Sequence, residues 1–400
     1  MLRDLGIAMV EVPFPVQLVE DRLVAIAARY TTQRVKVAVL PTMLFIQIGA
    51  AVHEMEGTSQ FSGQLDTAGR IEEVAALAAA GAITPRDAID AVHAARHQPP
   101  RFGAAATIVG YAVTTVGFGM VVEPTWKALL AHLFLGLVVG MIAAISRPFP
   151  NLSPILPTLS ALTVTLLATW FVADVADDGL LRVISPALIA TLPGMALVIG
   201  SIELARGRIV SGASRTVYGI AQLGLLVYGV VLGERIAGQV PPQTPSTPMG
   251  AWAAYAAIVV IAVGLYVYLS APRGSLPWLL LIIAVAMLTQ DLAGLVFNSA
   301  HSGFVAAMVA IPFAFGASRL KGAPPAGVLW LAAFWSLVPG QLTFMSVSRG
   351  ASGDYAGTAG VSVAAGAIVS IALGTLVGWS LVRTVRARKR RPTAESVTVH

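Results

Sequence analysis

The chain has 400 residues, of which 56% are hydrophobic and only 12% are charged, and its mean hydropathy is +0.78. Soluble domains carry about 25% charged residues, so most of this chain is expected to face lipid. The absence of cysteine excludes disulfides, iron–sulfur clusters and thiol catalysis. The net charge of +6 is thinly spread apart from one tail, and no aromatic-basic module accompanies it, so we expect no nucleic-acid partner.

Residues 1–102 are polar enough to form a small cytoplasmic α+β domain. Apolar residues at nearly helical spacing predict an amphipathic helix over 18–30, and the β-branched stretch 35–48 predicts one or two strands. An Ala-rich helix follows, with Gly81 as its C-cap. Thr84 is expected to be the N-cap of a last helix, because Pro85 suits the first helical position.

Hydrophobic runs fill the chain from residue 103 onward, and most have the roughly 17–25 residues that a spanning helix needs. There are ten of them, at 103–121, 128–146, 154–173, 183–203, 214–234, 251–270, 276–297, 302–318, 325–347 and 358–382. The Pro-rich segment 238–250 predicts an extended extracytoplasmic linker. It divides the membrane part into two five-helix modules, 103–237 and 251–383, and a basic tail follows at 384–400.

The charges of the loops predict the orientation. With the C-terminus in the cytoplasm, the inside loops hold Arg147, Arg206, Arg208, Arg215, Arg273, Arg319 and Lys321. The outside loops hold most of the acids, namely Glu123, Asp174, Asp177, Asp178, Glu234 and Asp354. This asymmetry follows the positive-inside rule. Because the number of spans is even, both termini are expected in the cytoplasm.

Two Pro-Gly pairs interrupt hydrophobic runs, at Pro193-Gly194 and at Pro339-Gly340, which are 146 residues apart (193 to 339). The same offset relates the starts of the five runs of each module to within a few residues. Five spans are an odd number, so the second module enters the membrane from the opposite side. The sequence thus predicts a mainly α-helical, polytopic membrane protein of about ten transmembrane helices in a 5+5 inverted repeat, with the small α+β domain in front.

Each proline removes a backbone N–H, so the carbonyls of Ile189 and Trp335 lose their helical donors. Paired interrupted helices are typical of the midplane substrate site of a secondary transporter. The freed carbonyls suit an ammonium, and the amides that open each following half-helix suit a carboxylate. The candidate substrate-binding residues are Thr191, Pro193, Gly194, Ser336, Pro339, Gly340, Gln341 and Thr343. For any one hydroxyl, a bond to its own backbone is the more ordinary explanation.

Ionisable residues in the runs are candidates for proton coupling. Asp291 is the first choice and His132 the second. The alternatives are a helix-end carboxylate for Asp291 and a satisfied interfacial side chain for His132. Glu203 lies at the cytoplasmic end of its run beside Arg206, where an ordinary surface ion pair is expected.

The sequence predicts no catalytic residue, cofactor or metal site. His53 lies near two glutamates in a stretch that is more typical of a polar strand or turn. His93 and His97 have metal-competent spacing on a helix but lack a third ligand. There is no ATP-binding loop. A membrane-anchored hydrolase that uses residues 1–102, and a channel, are the rival hypotheses. The expected partners are a small-molecule substrate, protons and the lipid bilayer; self-association stays open.

The stretch 192–197 reads LPGMAL and the stretch 203–213 reads ELARGRIVSGA. Together they resemble the signature of the threonine/serine exporter family, in which a Pro-Gly membrane helix runs into an amphipathic turn. Val19-Glu20-Asp21 and Pro41-Thr42 fit the family's N-terminal domain, and Val338-Pro339-Gly340 resembles its C-terminal five-span module. The resemblance implies an inner-membrane exporter of threonine and serine that is driven by the proton gradient. Related two-protein members resemble dicarboxylate exporters, so export of small dicarboxylates such as succinate is the alternative.

The chain departs from the family pattern at two places. Pro13-Phe14-Pro15 replaces small and hydroxyl residues before the Val-Glu-Asp element, and Arg208 stands where the family turn usually has an acidic residue. Both departures bear on the substrate rather than on the fold.

Overall fold

The computed structural model describes residues 1–56, 64–172, 179–238, 246–297, 301–337, 344–349 and 357–390. The described chain is mainly helical, with one small sheet near the N-terminus. A polar domain comes first, and a bundle of apolar helices follows it.

The N-terminal domain combines four helices with a three-stranded antiparallel sheet in the order β1-β2-β3. Its elements are α1 (Leu2–Glu11), α2 (Val16–Tyr30), β1 (Val35–Leu40), β2 (Met43–Ile48), β3 (Ala51–Glu56), α3 (Leu65–Ala80) and α4 (Pro85–His97). The two strands predicted over 35–48 are confirmed. Helix α1 and the polar strand β3 complete the domain.

Both predicted caps of this domain are confirmed. Gly81 has φ 71°, a left-handed conformation that costs glycine least, and it ends α3. The hydroxyl of Thr84 accepts a hydrogen bond from the Asp87 N–H at 3.2 Å and so begins α4. The helices cover one face of the sheet, where Gly6 leaves room for Leu44, since a Cβ at position 6 would lie 2.2 Å from the Leu44 Cδ2.

Every predicted hydrophobic run contains at least one apolar helix. These helices are α5 (Ala104–Val122), α6 (Trp126–Ser146), α7 (Leu156–Phe171), α8 (Leu180–Ile184), α9 (Gly194–Ala205), α10 (Ile209–Ala237), α11 (Trp252–Tyr268), α12 (Leu276–Gly294), α13 (Ser302–Ala317), α14 (Ala326–Leu337), α15 (344–349) and α16 (Gly357–Arg390). A 3-10 helix, Ser185–Thr191, continues α8.

Five of the described helices are long and apolar enough to cross a membrane, namely Ala104–Val122, Trp126–Ser146, Ile209–Ala237, Leu276–Gly294 and Ser362–Thr384. The bent pair Leu180–Thr191 and Gly194–Ala205 makes a sixth if it is one span. Four further apolar helices have 10–17 residues. The structure thus describes a helical membrane protein, while the full number of ten spans stays a prediction.

Glycines allow α5 and α11 to pack closely against each other. A Cβ at Gly117 would lie 2.9 Å from the backbone nitrogen of Ile261, and one at Gly264 would lie 2.5 Å from that of Thr114. Along this contact the residue numbers increase on α5 while they decrease on α11, so the two helices run antiparallel. Small residues at helix interfaces are a common device in membranes, because backbone contact replaces the missing hydrophobic driving force.

Two helix pairs are joined by similar glycine contacts. A Cβ at Gly229 of α10 would lie 2.5 Å from the Thr158 carbonyl oxygen of α7. A Cβ at Gly374 of α16 would lie 2.1 Å from the Phe304 carbonyl oxygen of α13. The two pairs share their order along the chain and their parallel direction.

Candidate functional site: a broken helix where the modules meet

The chain breaks between two helical segments at Leu192 and Pro193. The segments Leu180–Thr191 and Gly194–Ala205 meet at an angle of 63°. Leu192 is extended, and Pro193 is the N-cap of α9. Pro193 lacks the N–H that would have continued the hydrogen-bond ladder, which explains why the helix stops here.

The sequence predicted a free Ile189 carbonyl, but the structure gives this carbonyl a hydrogen-bond donor. It accepts a long hydrogen bond of 3.4 Å from the Leu192 N–H, three residues on, because the segment before the break is a 3-10 helix. The first amides of α9 have no intrahelical acceptor, as at any helix start. The break therefore presents N–H groups on one side and weakly bonded carbonyls on the other.

The two described hydroxyls near the predicted site bond to their own backbone. The Thr191 hydroxyl donates to the Leu188 carbonyl at 2.6 Å, and the Ser336 hydroxyl donates to the Ala333 carbonyl at 2.7 Å. The remaining candidates of the second module, Pro339, Gly340, Gln341 and Thr343, lie outside the described residues.

Sequence reasoning missed three aromatic side chains connected to the segment before the break, which we call the aromatic trio: Tyr111 of α5, Tyr268 of α11 and Trp335 of α14. The Tyr111 and Tyr268 rings meet edge to face at 5.0 Å, and the Tyr268 and Trp335 rings do so at 6.4 Å. The Tyr111 hydroxyl donates a 2.6 Å hydrogen bond to the Ala187 carbonyl in the 3-10 segment. The trio therefore connects the segment before the break to α11 and α14.

One polar atom of the trio, the buried Trp335 Nε1, has no hydrogen-bond partner among the described residues. Buried indole N–H groups usually have a partner, so this donor is a candidate for binding a ligand. Tyrosines in otherwise aliphatic runs single out Tyr111 and Tyr268 in the sequence, but they carry no sign that the rings meet.

The two proton-coupling candidates lie in different surroundings. His132 of α6 is fully buried, and its ring fills the space that Gly119 leaves, since a Cβ there would lie 2.1 Å from the ring. The backbone of Val183 approaches the ring, but neither ring nitrogen reaches hydrogen-bond geometry. Asp291 is exposed near the end of α12, and no ion pair in the described part of the chain joins it to His132.

The expected surface ion pair between Glu203 and Arg206 is wrong. Glu203 is only 1% exposed; its Oε1 accepts the backbone N–H of Val16 at 3.0 Å and lies 3.3 Å from the Arg215 Nε. Arg206 instead donates to the Gln17 side chain at 3.3 Å. Sequence spacing could not reveal this arrangement, because Val16 comes from the N-terminal domain, 187 residues earlier in the chain.

Both departures from the family pattern lie where the N-terminal domain contacts the membrane helices. Arg208 forms an ion pair with Glu20 of α2, whose carboxylate also accepts the Val39 N–H at 3.0 Å. Phe14 stacks on Trp330 of α14, with ring centroids 6.1 Å apart. Burial raises the pKa of Glu20, while the Val39 N–H and Arg208 oppose that rise. Both departures therefore take part in the contact between the N-terminal domain and the membrane helices.

A second carboxylate completes this contact. Glu72 of α3 accepts the Gly327 N–H at the start of α14 at 2.8 Å, and it also accepts a hydrogen bond from Arg22 at 2.8 Å. A negative charge at a helix N-terminus is favourable because it faces the unpaired amides and the helix dipole. We define the docking interface as Phe14, Val16, Glu20 and Glu72 of the domain with Glu203, Arg208, Gly327 and Trp330 of the membrane helices.

The other histidine candidates lie on the surface of the N-terminal domain. The rings of His93 and His97 stack at 6.1 Å, and the His93 Nε2 lies 3.7 Å from an Asp4 carboxylate oxygen. Within the described residues, no group of three or more His, Cys, Asp or Glu side chains could hold a metal ion.

Apolar helices long enough to cross a membrane, one bent helix pair and a polar domain docked against them define the class of helical membrane proteins. The family model described as "Putative threonine/serine exporter" (ThrE) matches residues 1–237, which is more than half of the chain. The chain belongs to this family, as its LPGMAL and ELARGRIVSGA motifs suggested. Comparisons with curated proteins and with solved structures found no significant match.

Proposed function

We propose that this chain is a proton-coupled secondary transporter that exports threonine and serine across the inner membrane, with both termini in the cytoplasm. Family membership supports the substrate class. The observation that carries the site is the 63° break at Pro193, which lies beside an aromatic trio drawn from both modules.

The chemistry of the break suits an amino acid. The amides that open α9, and its helix dipole, would hold the substrate carboxylate. The carbonyls of the 3-10 segment and the faces of Tyr268 and Trp335 would hold the ammonium, by hydrogen bonds and cation–π attraction. The unpartnered Trp335 Nε1 would donate to a substrate oxygen. Thr191 and Ser336 would form hydrogen bonds with the substrate hydroxyl only after giving up their present hydrogen bonds to backbone carbonyls.

The predicted inverted repeat places Pro339-Gly340 opposite Pro193-Gly194. The equivalent glycine contacts of α7 with α10 and of α13 with α16 support this repeat, because Gly229 and Gly374 are 145 residues apart, close to the offset of the Pro-Gly pairs. The antiparallel crossing of α5 and α11 also fits two modules of opposite orientation. The substrate would therefore lie between the modules, near the middle of the membrane.

Proton coupling through Asp291 or His132 is part of the proposal. His132 is enclosed between α5 and α6, where a change in protonation would affect the packing around Gly119. Asp291 is exposed near a helix end, where protons reach it more easily. Variants Asp291→Asn and His132→Gln distinguish the two, since only the coupling residue is needed for accumulation driven by a pH gradient.

Uptake into inverted membrane vesicles tests the function. Vesicles that contain the full chain receive labelled threonine, serine or succinate under an imposed pH gradient, and vesicles without the chain are the control. Uphill accumulation of threonine or serine would support the proposal, and accumulation of succinate alone would identify a dicarboxylate exporter. Equilibration without accumulation would indicate a channel, and uptake of none of the three would refute the substrate assignment.

A further inference from the structure

The docking interface connects the N-terminal domain to the cytoplasmic halves of both interrupted runs. On one side Glu203 of α9 accepts the N–H of Val16, the first residue of α2. On the other side Glu72 of the domain accepts the N–H of Gly327 at the start of α14. Each contact places a carboxylate at a helix N-terminus. One domain therefore contacts two helices whose hydrophobic runs contain the two Pro-Gly pairs of the sequence.

Glu203 is directly connected to the candidate substrate site. It follows Gly194 on the same uninterrupted helix, α9, at a distance of about 14 Å along the axis, given the helical rise of about 1.5 Å per residue. A short helix moves as a rigid body, so a change at Glu203 would be transmitted to the break. No other described carboxylate both belongs to a broken helix and contacts the N-terminal domain.

The surroundings of Glu203 make its charge costly to keep. The carboxylate is buried and faces one cation, Arg215 of α10, which is itself 12% exposed, and Glu20 of α2 lies near enough to repel it. Oε1 has both contacts, while Oε2 is buried and has no hydrogen-bond partner among the described residues. A buried charge with so few partners is costly in free energy, and adding a proton removes that cost.

We propose that Glu203 is a protonatable latch, which holds the N-terminal domain across the cytoplasmic end of the broken helix while it is charged and releases it when it is protonated. The proton adds to Oε2, and the neutral side chain then loses its attraction to Arg215 and binds the Val16 N–H less strongly. Loss of the proton to the cytoplasm re-forms both contacts and closes the cytoplasmic side. This inference rests on the proposed proton-coupled export.

The second anchor is expected to stay in place during this step. The charge of Glu72 is balanced by Arg22, which belongs to the same domain, so the pair moves with the domain and does not respond to a movement of α9. The contact to Gly327 would act as the pivot. Glu72→Gln is therefore the matched control, because it alters the same interface without touching the latch.

The absence of cysteine allows a clean distance measurement on the full chain. Spin labels are attached in a Val24→Cys, Ile209→Cys variant, since both side chains are exposed, one on α2 and one at the start of α10, so the pair spans the latch rather than the pivot. In membranes, we expect a longer distance to become populated as the pH is lowered. Glu203→Gln should populate that longer distance at every pH, whereas Glu72→Gln should keep the pH response. An unchanged pH response in Glu203→Gln would overturn the latch.

A second variant keeps the inference testable if Glu203→Gln folds poorly. Arg215→Gln removes the cation that pairs with Glu203 in the described part of the chain, so the midpoint of the distance change should move up by about one to three pH units, the usual effect of a neighbouring opposite charge. A midpoint that does not move, or that moves down, would contradict the latch.

Transport assays distinguish a failure of the latch from a failure of the proposed export function on which the latch rests. Glu203→Gln should retain exchange of threonine between the two sides of a vesicle and lose accumulation driven by the pH gradient. If the unmodified chain accumulates neither threonine nor serine while the distances still respond through Glu203, the export proposal fails and the latch stands. If accumulation is normal in Glu203→Gln, the latch has no part in coupling and the inference fails.

Discussion

The backbone N–H of Val16 donates a 3.0 Å hydrogen bond to the buried Oε1 of Glu203. This single bond joins the first residue of α2 to the helix that follows the Pro193 break. It replaces the water that would otherwise solvate an unpaired amide at a helix N-terminus. The N-terminal domain is thus tied to the part of the molecule where we place the substrate.

Removing the break should impair transport. Pro193→Ala restores an N–H and allows the helix to continue, which reduces the 63° bend. We expect threonine transport to fall about tenfold or more, equivalent to about 1.4 kcal/mol in the barrier, with normal insertion into the membrane. Pro312→Ala is the control, because Pro312 lies inside α13 without breaking it. Wild-type rates in Pro193→Ala would remove the break from the mechanism.

The hydroxyl of Tyr111 should stabilise the segment before the break. Tyr111→Phe leaves the buried Ala187 carbonyl without its 2.6 Å partner, at a cost of about 1–3 kcal/mol. A lower thermal midpoint and a raised KM for threonine are expected, from unfolding scans and vesicle uptake. Tyr255→Phe, at a side chain 62% exposed on α11, should change neither quantity. Equal effects of the two variants would contradict a role for the bond.

The aromatic contact of Phe14 should carry much of the docking energy. Phe14→Ala removes a buried ring from Trp330 and should lower the free energy of unfolding by about 3 kcal/mol. Thermal unfolding of the purified full chain measures this loss. Phe171→Ala deletes a ring that is 67% exposed on α7 and is the matched control. A loss no larger than that of the control would show that Phe14 contributes little to docking.

Titration of Glu20 should make the free energy of unfolding depend on pH in a recognisable way. Burial raises its pKa, so the folded chain binds this proton more tightly than the unfolded chain does. Its contribution to stability is then greatest below the usual pKa and declines as the pH rises from the usual value through the raised one. Glu20→Gln should remove that decline in thermal midpoints measured against pH. Glu73→Gln, an exposed carboxylate on α3, should leave the profile unchanged.

The equivalent glycines should respond alike if the modules are a repeat. A Cβ at Gly229 or at Gly374 would meet a backbone carbonyl oxygen of the neighbouring helix at 2.5 Å and 2.1 Å, respectively. Each substitution to alanine should destabilise by about 1–3 kcal/mol, the usual cost of overpacking. Gly224 of α10 is the control: a Cβ there would meet nothing within 4 Å, so Gly224→Ala should leave the free energy of unfolding unchanged or raise it. A large loss in only one variant would argue against equivalence.

The sequence by itself determined the features that depend on neighbours in the chain. Hydropathy located the ten apolar runs, and a missing N–H at Pro193 predicted the break. Local conformational preferences fixed the caps at Gly81 and Thr84, and β-branched residues marked the first two strands. The motif around Pro193-Gly194 was enough to identify the family. The stretch around His53 was expected only as a polar strand or turn and proved to be strand β3, because few of its residues have the apolar alternation that marks a half-buried strand.

Only the tertiary structure decided which side chains meet. Hydropathy is a property of a segment and carries no information about its neighbours in space, so neither the aromatic trio nor the partner of Glu203 could be read from it. A glutamate at the end of an apolar run is ordinarily solvated, and the chain gives no local sign that a domain 187 residues away will cover it. Folding brought Val16 and Arg215 to that carboxylate, and so turned an expected surface charge into a buried one.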